Sequence, residues 1–402
     1  MALALFPSYE LQVWVLALCA LTLIYTFVGY PLLVHGLARR WGRPLRPQAG
    51  WQPRVAMVIV MHNEAARVEG KLRSCAAQTY PRARLRIVVV SDGSTDDTVR
   101  RVQAFGLHQP ELRIEVLAFE TRRGKAACIN EALAACTEEV LVLTDARQAL
   151  NAQAVAALVE TLSDPAVSVV SGELEFLRDG MKDFGASVDA YWTYEKFIRK
   201  AEARLHSVPG ATGALYAVKR SAFKAIDPHT VLDDVAIPMR ACLDGGRVVF
   251  DGRALAYDTP ARDATQERAR KVRTLAGNFQ LLALMPALCL PWRNPIWWQF
   301  VSHKVLRLLA PWALLGLLLS SALLAPQAWP ARVLLGLQLL VYGSVLLSLR
   351  FKALLRWRWV RLAAAFVLLN AFAVQGLWAF VRHKDLHRWQ AASPAKSPVV
   401  AR

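Results

Sequence analysis

Acidic side chains recur where apolar runs end, and that placement is what could do chemistry here. In Ile87 to Thr98, IVVVSDGSTDDT, four apolar residues lead straight into Ser91, Asp92 and Gly93. An unbroken apolar run closed by turn residues predicts a buried parallel strand, and open α/β sheets bind ligands just beyond the carboxyl ends of such strands. Asp92 at that point suits hydrogen-bonding a base N–H or a ribose hydroxyl; capping of the next helix is the alternative. EVLVLTDAR, Glu139 to Arg147, repeats the arrangement with Asp145 at its end. VLDDVAIPMR, Val231 to Arg240, adds the neighbours Asp233 and Asp234. Adjacent carboxylates in a partly buried crevice raise one another's pKa, so one could accept a proton near neutral pH. A helix-start pair favoured by the dipole is the other reading. TRRGKAACINEAL, Thr121 to Leu133, sets Lys125 in a basic, glycine-containing loop before a helix.

The elements that must position these groups follow a simple alternation. VAMVIVMHNE, Val55 to Glu64, predicts a strand ending in His62, Asn63 and Glu64, with a helix to about Gln78 and then the strand at Ile87. Arg113 to Phe119 alternates like a further strand. Successive strand–polar loop–helix units describe a doubly wound α/β sheet. The 402 residues are 55% hydrophobic and carry a formal net charge of +18. That is too apolar for a purely soluble chain, and much of the basic charge flanks apolar runs. With no zinc-finger spacing and no basic-region heptads, nucleic acid is not the expected partner; a bilayer is. The six cysteines lie far apart, form no CxxC and read as reduced.

Taken in order, HNE at 62–64, SDGSTDDT at 91–98, GKAACIN at 124–130, TDAR at 144–147, GATGALYAVKR at 210–220, LDD at 232–234 and RKVRT at 270–274 resemble the membrane-integrated family 2 glycosyltransferases. That group includes cellulose, hyaluronan and poly-N-acetylglucosamine synthases. The resemblance implies a GT-A-type, Rossmann-like nucleotide-sugar domain over 54–262, between an N-terminal transmembrane anchor (1–40, then a linker at 41–53) and interfacial helices (263–300) leading to a C-terminal transmembrane bundle (301–402). It implies an inverting transfer from a nucleotide sugar, expected to be a uridine one, to an acceptor hydroxyl. The nucleotide would lie against Asn63, Glu64 and Asp92, with Lys125 near the nucleotide or diphosphate. Asp145 matches the first carboxylate of the DxD signature and would hold Mg²⁺ or Mn²⁺ with the donor phosphates. The second position is Arg147, which could instead neutralise the diphosphate. Asp234 matches the base of the TED motif, with Asp233 in place of the glutamate. Arg273 keeps the arginine of QxxRW, a plausible diphosphate clamp, while Thr274 replaces the tryptophan, which argues against processivity.

Gly210 to Ala214 form a small-residue loop where Thr212 and Gly213 could admit an acceptor. Ala186 to His206 predicts a helix bearing Tyr191, Trp192, Tyr194, Glu195 and Phe197. Trp192 could stack on a sugar ring, though an amphipathic helix packed on the sheet or the membrane surface is favoured. Leu11 to Leu37 holds no charged residue and is followed by Arg39, Arg40, Arg43 and Arg46, so the positive-inside rule sets the domain in the cytoplasm. Later spans are expected at about 305–324, 332–349 and 362–381. That count sends the tail from Arg382 to the far side, against its own basic charge. The expected product is an extracellular or cell-surface polysaccharide, with export or assembly proteins as expected partners. Single-sugar transfer to a lipid acceptor and a non-catalytic scaffold are the other readings.

Overall fold

The computed structural model describes residues 8–177, 185–259, 264–382, 385 and 387; Lys384 and Arg388 of the basic tail lie outside these. Its centre is one eight-stranded mixed sheet. The strands are β1 (Val55–Met61), β2 (Leu85–Asp92), β3 (Arg113–Phe119), β4 (Val140–Leu143), β5 (Ala149–Leu150), β6 (Val167–Phe176), β7 (Tyr216–Lys219) and β8 (Arg247–Asp258). They run in the order β3-β2-β1-β4-β7-β6-β8-β5. β3, β2, β1 and β4 are mutually parallel, and β7 joins antiparallel to β4 and β6. Every residue of β1 is buried, which is why it reads as a continuous apolar run. Because β1, β2 and β4 point the same way, Asn63, Asp92 and Asp145 all emerge at one edge.

Covering this sheet or continuing from it are α1 (Tyr9–Ile24), α2 (Tyr30–Trp41), α3 (Val68–Ala76), α4 (Thr98–His108), α5 (Lys125–Ala135), α6 (Ala154–Leu162), α7 (Gly185–Leu205) and α8 (Asp233–Leu243). The C-terminal part holds α9 (Ala264–Leu284), α10 (Trp297–Phe300), α11 (Leu306–Leu324), α12 (Trp329–Arg350) and α13 (Arg358–Arg382).

Turn chemistry locks the strand ends together. Gly93 has φ +63°, and a Cβ there would stand 2.6 Å from the Arg122 amide nitrogen. Gly93→Ala should therefore strain the backbone and push back the loop that carries Lys125. The expected cost is about 1–3 kcal/mol, read as a lowered thermal midpoint.

Among the described residues, four helices are long and apolar enough to cross a membrane: Tyr9–Trp41, Trp297–Leu324, Trp329–Arg350 and Arg358–Arg382. Their exposed side chains are large and apolar, among them Trp14, Leu18, Leu315, Leu340 and Leu346, as lipid contact requires. α1 meets α11 so closely that a Cβ at Gly316 would lie 2.7 Å from Cys19 Sγ. α11 and α12 form an antiparallel pair in which Gln338 Nε2 donates to Ser321 Oγ at 3.0 Å. α13 lies along α9, with Arg268 Nε donating to Gln375 Oε1 at 2.9 Å and Gly376 against Leu275. The residues Phe279 to Leu290 end α9 and form a short turn at Pro286–Cys289. α9 itself rests on the domain, a Cβ at Gly277 falling 2.7 Å from Leu232 Cγ. His387 packs on Gly124 of the sheet domain, 3.0 Å from where a Cβ would be, and edges onto His229 with ring centroids 4.6 Å apart.

Candidate active site

At the β1 and β2 ends the polar groups mainly serve each other. Asn63 adopts a left-handed conformation (φ 53°), and its Oδ1 accepts from the Thr95 amide at 2.8 Å. The Asn63 and Glu64 amides donate to Ser94 Oγ (3.1 Å) and Thr98 Oγ1 (2.8 Å). Glu64 also pairs with Arg67, and burial raises its pKa against that pairing. Asp92 is only 1% exposed. Its carboxylate accepts from the amides of Arg123 (2.6 Å) and Gly124 (3.0 Å). The buried Asp92 carboxylate thus holds the loop in front of Lys125.

That loop delivers Lys125 to the acidic residues. Its Nζ donates to Asp145 Oδ1 at 2.8 Å and lies 3.2 Å from Asp233 Oδ2. Burial opposes the ammonium charge, but Asp145 and Asp233 outweigh it and hold Lys125 protonated well above its ordinary range. Asp234 Oδ2 accepts from the Gly213 amide at 2.9 Å, and the Ala211 amide donates to the Asp234 carbonyl. A Cβ at Gly213 would lie 3.2 Å from Asp234 Oδ2 and 3.6 Å from Asp145 Oδ2, so the three acidic groups and Lys125 share one cleft. Asp233 and Asp234 open α8, where the helix dipole favours negative charge. Burial first, then Asp233, pushes the Asp234 pKa up to about 6, with Lys125 and Lys304 opposing and Asp145 adding. Asp233 is buried, whereas Asp234 is partly open to the cleft. A carboxyl poised near 6 and reachable by a substrate suits proton acceptance at neutral pH.

Arg147 turns to Asp258, a fully buried carboxylate that also accepts from Gln148 Nε2 at 2.9 Å. The cation beside Asp145 is therefore Lys125, and Arg147 braces the end of β8. Arg147→Met should leave Asp258 with only its bonds from Gln148 Nε2 and the Thr259 amide and no counter-charge, and breaking such a buried pair costs about 3 kcal/mol, measurable by chemical denaturation. Arg273, on α9, is desolvated and feels the charges of Asp233, Asp145 and Asp234, which places it over the same cleft. Two residues escaped sequence reasoning. Arg122 also acts on Arg273, and its buried Nε and Nη2 have no hydrogen-bond partner among the described residues. Lys71, fully buried, donates to Thr144 Oγ1 (2.7 Å) and the Gln148 carbonyl (2.8 Å), supporting the segment that presents Asp145. Burial lowers its pKa to about 8. Val68, Lys71, Leu72 and Cys75 share the buried face of α3, so a lysine in an apolar stripe was the available signal.

Residues 56–227 match the family model described as glycosyl transferase family 2. The domain is a family 2 glycosyltransferase domain. The chain superposes on a mannosyltransferase, PcManGT of Pyrobaculum calidifontis, solved with GDP-Man and Mn²⁺, at TM-score 0.69 and 25% identity, over 92% of this chain and 99% of that one. It is 22% identical over 233 residues to a poly-beta-1,6-N-acetyl-D-glucosamine synthase of Staphylococcus epidermidis, covering 57% of this chain and 55% of that protein. With glycosyltransferase AglE of Haloferax volcanii it shares 28% identity over 124 residues, 31% of this chain and 40% of the relative. The chain thus spans about half the length of these curated relatives.

In this family 2 domain, the loop at 210–214 runs beneath the cleft. The Thr212 amide donates to Ser171 Oγ at 3.0 Å, beside Gly213 on Asp234. α7 faces the N-terminal helices. Tyr194 Oη donates to the Phe27 carbonyl (2.8 Å), and Phe197 stacks on His35 with centroids 4.8 Å apart. Trp192 meets Phe176 at the end of β6, centroids 5.6 Å apart, so its ring is engaged in packing. The Tyr191 side chain lies outside the described residues.

Proposed function

We propose that this chain transfers a sugar, with inversion, from a nucleoside diphosphate sugar to an acceptor hydroxyl at a membrane face, in the synthesis of a cell-surface glycan. The observation that carries the reading is Lys125, bonded to Asp145 and beside Asp233, next to an Asp234 carboxyl that is partly open and poised near neutral. In the proposed reaction, the acceptor oxygen attacks the anomeric carbon as its proton passes to Asp234. The bond from that carbon to the diphosphate breaks, and the nucleoside diphosphate leaves. Lys125, Arg273 and Arg122, whose buried Nε and Nη2 have no hydrogen-bond partner among the described residues, supply positive charge for the leaving group. The base and ribose would sit against the Asn63–Glu64 turn and the loop after Gly93, with Asp92 supporting them from behind.

A divalent cation fits one position. Asp145 is 38% exposed at its side chain, Lys125 engages Oδ1, and no other cation contacts Oδ2 among the described residues. No cluster of three or more potential ligands occurs among the described residues. Asp145 and the donor phosphates would therefore hold Mg²⁺ or Mn²⁺ between them. Such an ion would neutralise the departing diphosphate. The arginines at 39, 40, 43 and 46 after the first apolar helix support a cytoplasmic domain.

The test is detergent-purified full-length protein incubated with a panel of UDP- and GDP-sugars, following nucleotide release and product size. Release with one donor is expected, lost on chelation and restored by Mg²⁺ or Mn²⁺. Full turnover in excess chelator would remove the metal, and no release from any donor would favour a non-catalytic scaffold. A size ladder would mark a polymerase. A single new glycolipid would mark transfer to lipid, a reading favoured by Thr274 at the tryptophan position of QxxRW.

A further inference from the structure

Lys71 is a fully buried charge with no part in the reaction written above. It projects from α3 among Val68, Leu72 and Cys75, on the helix face that packs into the core. Its Nζ donates to Thr144 Oγ1 (2.7 Å) and to the Gln148 carbonyl (2.8 Å). Thr144 and Gln148 are the first and last residues of the connection between β4 and β5, the one that carries Asp145. One ammonium therefore closes this connection from behind. The Thr144 amide and Gln148 Nε2 fasten its ends further, to the Val58 carbonyl (3.2 Å) and to Asp258 (2.9 Å).

The same bonds reach the base. A hydroxyl has one proton to give, and Thr144 gives its own to the Ala214 carbonyl at 2.7 Å, so it meets Lys71 as an acceptor. Ala214 follows Gly213, whose amide donates to Asp234 Oδ2 and whose backbone stands against both Asp234 and Asp145. The path from Lys71 to Thr144 to Ala214 thus ties the loop at 210–214 to the strand end that presents Asp145. Burying an ammonium among apolar side chains is costly. A methionine would fill the same stripe, yet it would leave the Gln148 carbonyl without this donor and the Thr144 hydroxyl without its fixed orientation.

We propose that Lys71 is a positioning residue for the transfer: through Thr144 it sets the spacing between Asp145, on the donor side, and Asp234, the base. In-line attack requires the acceptor oxygen, the anomeric carbon and the diphosphate to be held in register, so a small change in that spacing lowers turnover far more than it lowers donor binding. Lys71 touches neither substrate and moves no proton; it acts through the two backbone segments that it joins. This inference rests on the proposed glycosyl transfer and adds no step to it.

The test uses detergent-purified full-length protein and the donor that the wild-type chain turns over, with kcat, donor KM and thermal midpoint followed together. Thr144→Val keeps the shape and removes the hydroxyl between Lys71 and Ala214. Its kcat should fall at least about tenfold while donor KM stays nearly unchanged. Thr144→Ser, which keeps the hydroxyl, should restore most of that kcat. Lys71→Met frees both ends of the Asp145 connection, so kcat should fall and donor KM rise together; should that variant not fold, the Thr144 pair decides alone. Leu72→Val, beside Lys71 on α3, loses core contact and no hydrogen bond. It should lower the thermal midpoint and leave kcat as it was. A kcat loss in Leu72→Val equal to that in Thr144→Val would make the role merely structural and overturn the proposal. So would equal losses in Thr144→Ser and Thr144→Val. A wild-type chain inactive with every donor overturns the transfer reading and this one together, whereas an active wild type with unchanged kcat in Thr144→Val overturns this one alone.

Discussion

Asp234→Asn is expected to lower turnover by roughly 10²–10⁴-fold, the contribution of a positioned general base, while donor binding changes little. Asparagine keeps the shape and can still accept from the Gly213 amide, so the loop at 210–214 should hold its place. What is lost is the proton acceptor. The wild-type pH profile carries the same information. Asp234 must be ionised to act, and its pKa is pushed up to about 6. Activity should thus be full well above that value and fall tenfold per pH unit below it. Nucleotide release measured across pH, with binding followed in parallel, checks both halves. Wild-type turnover in Asp234→Asn would remove the assignment.

Lys125→Met should be nearly as damaging for a different reason. The ammonium is the counter-charge for Asp145 and Asp233 and the leading charge opposing a higher Asp234 pKa. Without it the base protonates more readily, so the acidic limb of the profile should move to higher pH. Loss of a preorganised charge beside the leaving group adds roughly 10²–10³-fold in turnover at neutral pH. Lys125→Arg should recover part of each effect. An acidic limb that stays in place in Lys125→Met would show that Lys125 does not govern the base.

Local patterns were readable in the sequence wherever burial on both faces forced a continuous apolar run. β1, β2 and β4 and the turns that close them follow from Val55–Met61, Leu85–Asp92 and Val140–Leu143 alone. The start of α8 at Asp233 was readable for the same kind of reason, a local preference of carboxylates for helix N-termini. Partner choice was not readable. Arg147 finds Asp258, 111 residues away, only because β8 ends beside the loop after β4. Likewise His303 reaches Glu195 and Glu202 across more than 100 residues once α11 docks on α7. Arg147 and His303 illustrate one limit: a charge's environment depends on strand order and helix docking, which no window of sequence contains. Asp92 shows another, since its bonds to the Arg123 and Gly124 amides join groups more than 30 residues apart.

The contact of His387 with Gly124 brings the end of the chain back onto the loop in front of Lys125. Just before it, α13 packs on α9, α11 and α12, and its Phe366 stands edge-on to Phe27 of the first apolar helix with ring centroids 5.0 Å apart. The apolar helices and the loop that carries Lys125 are thus joined through the last residues described.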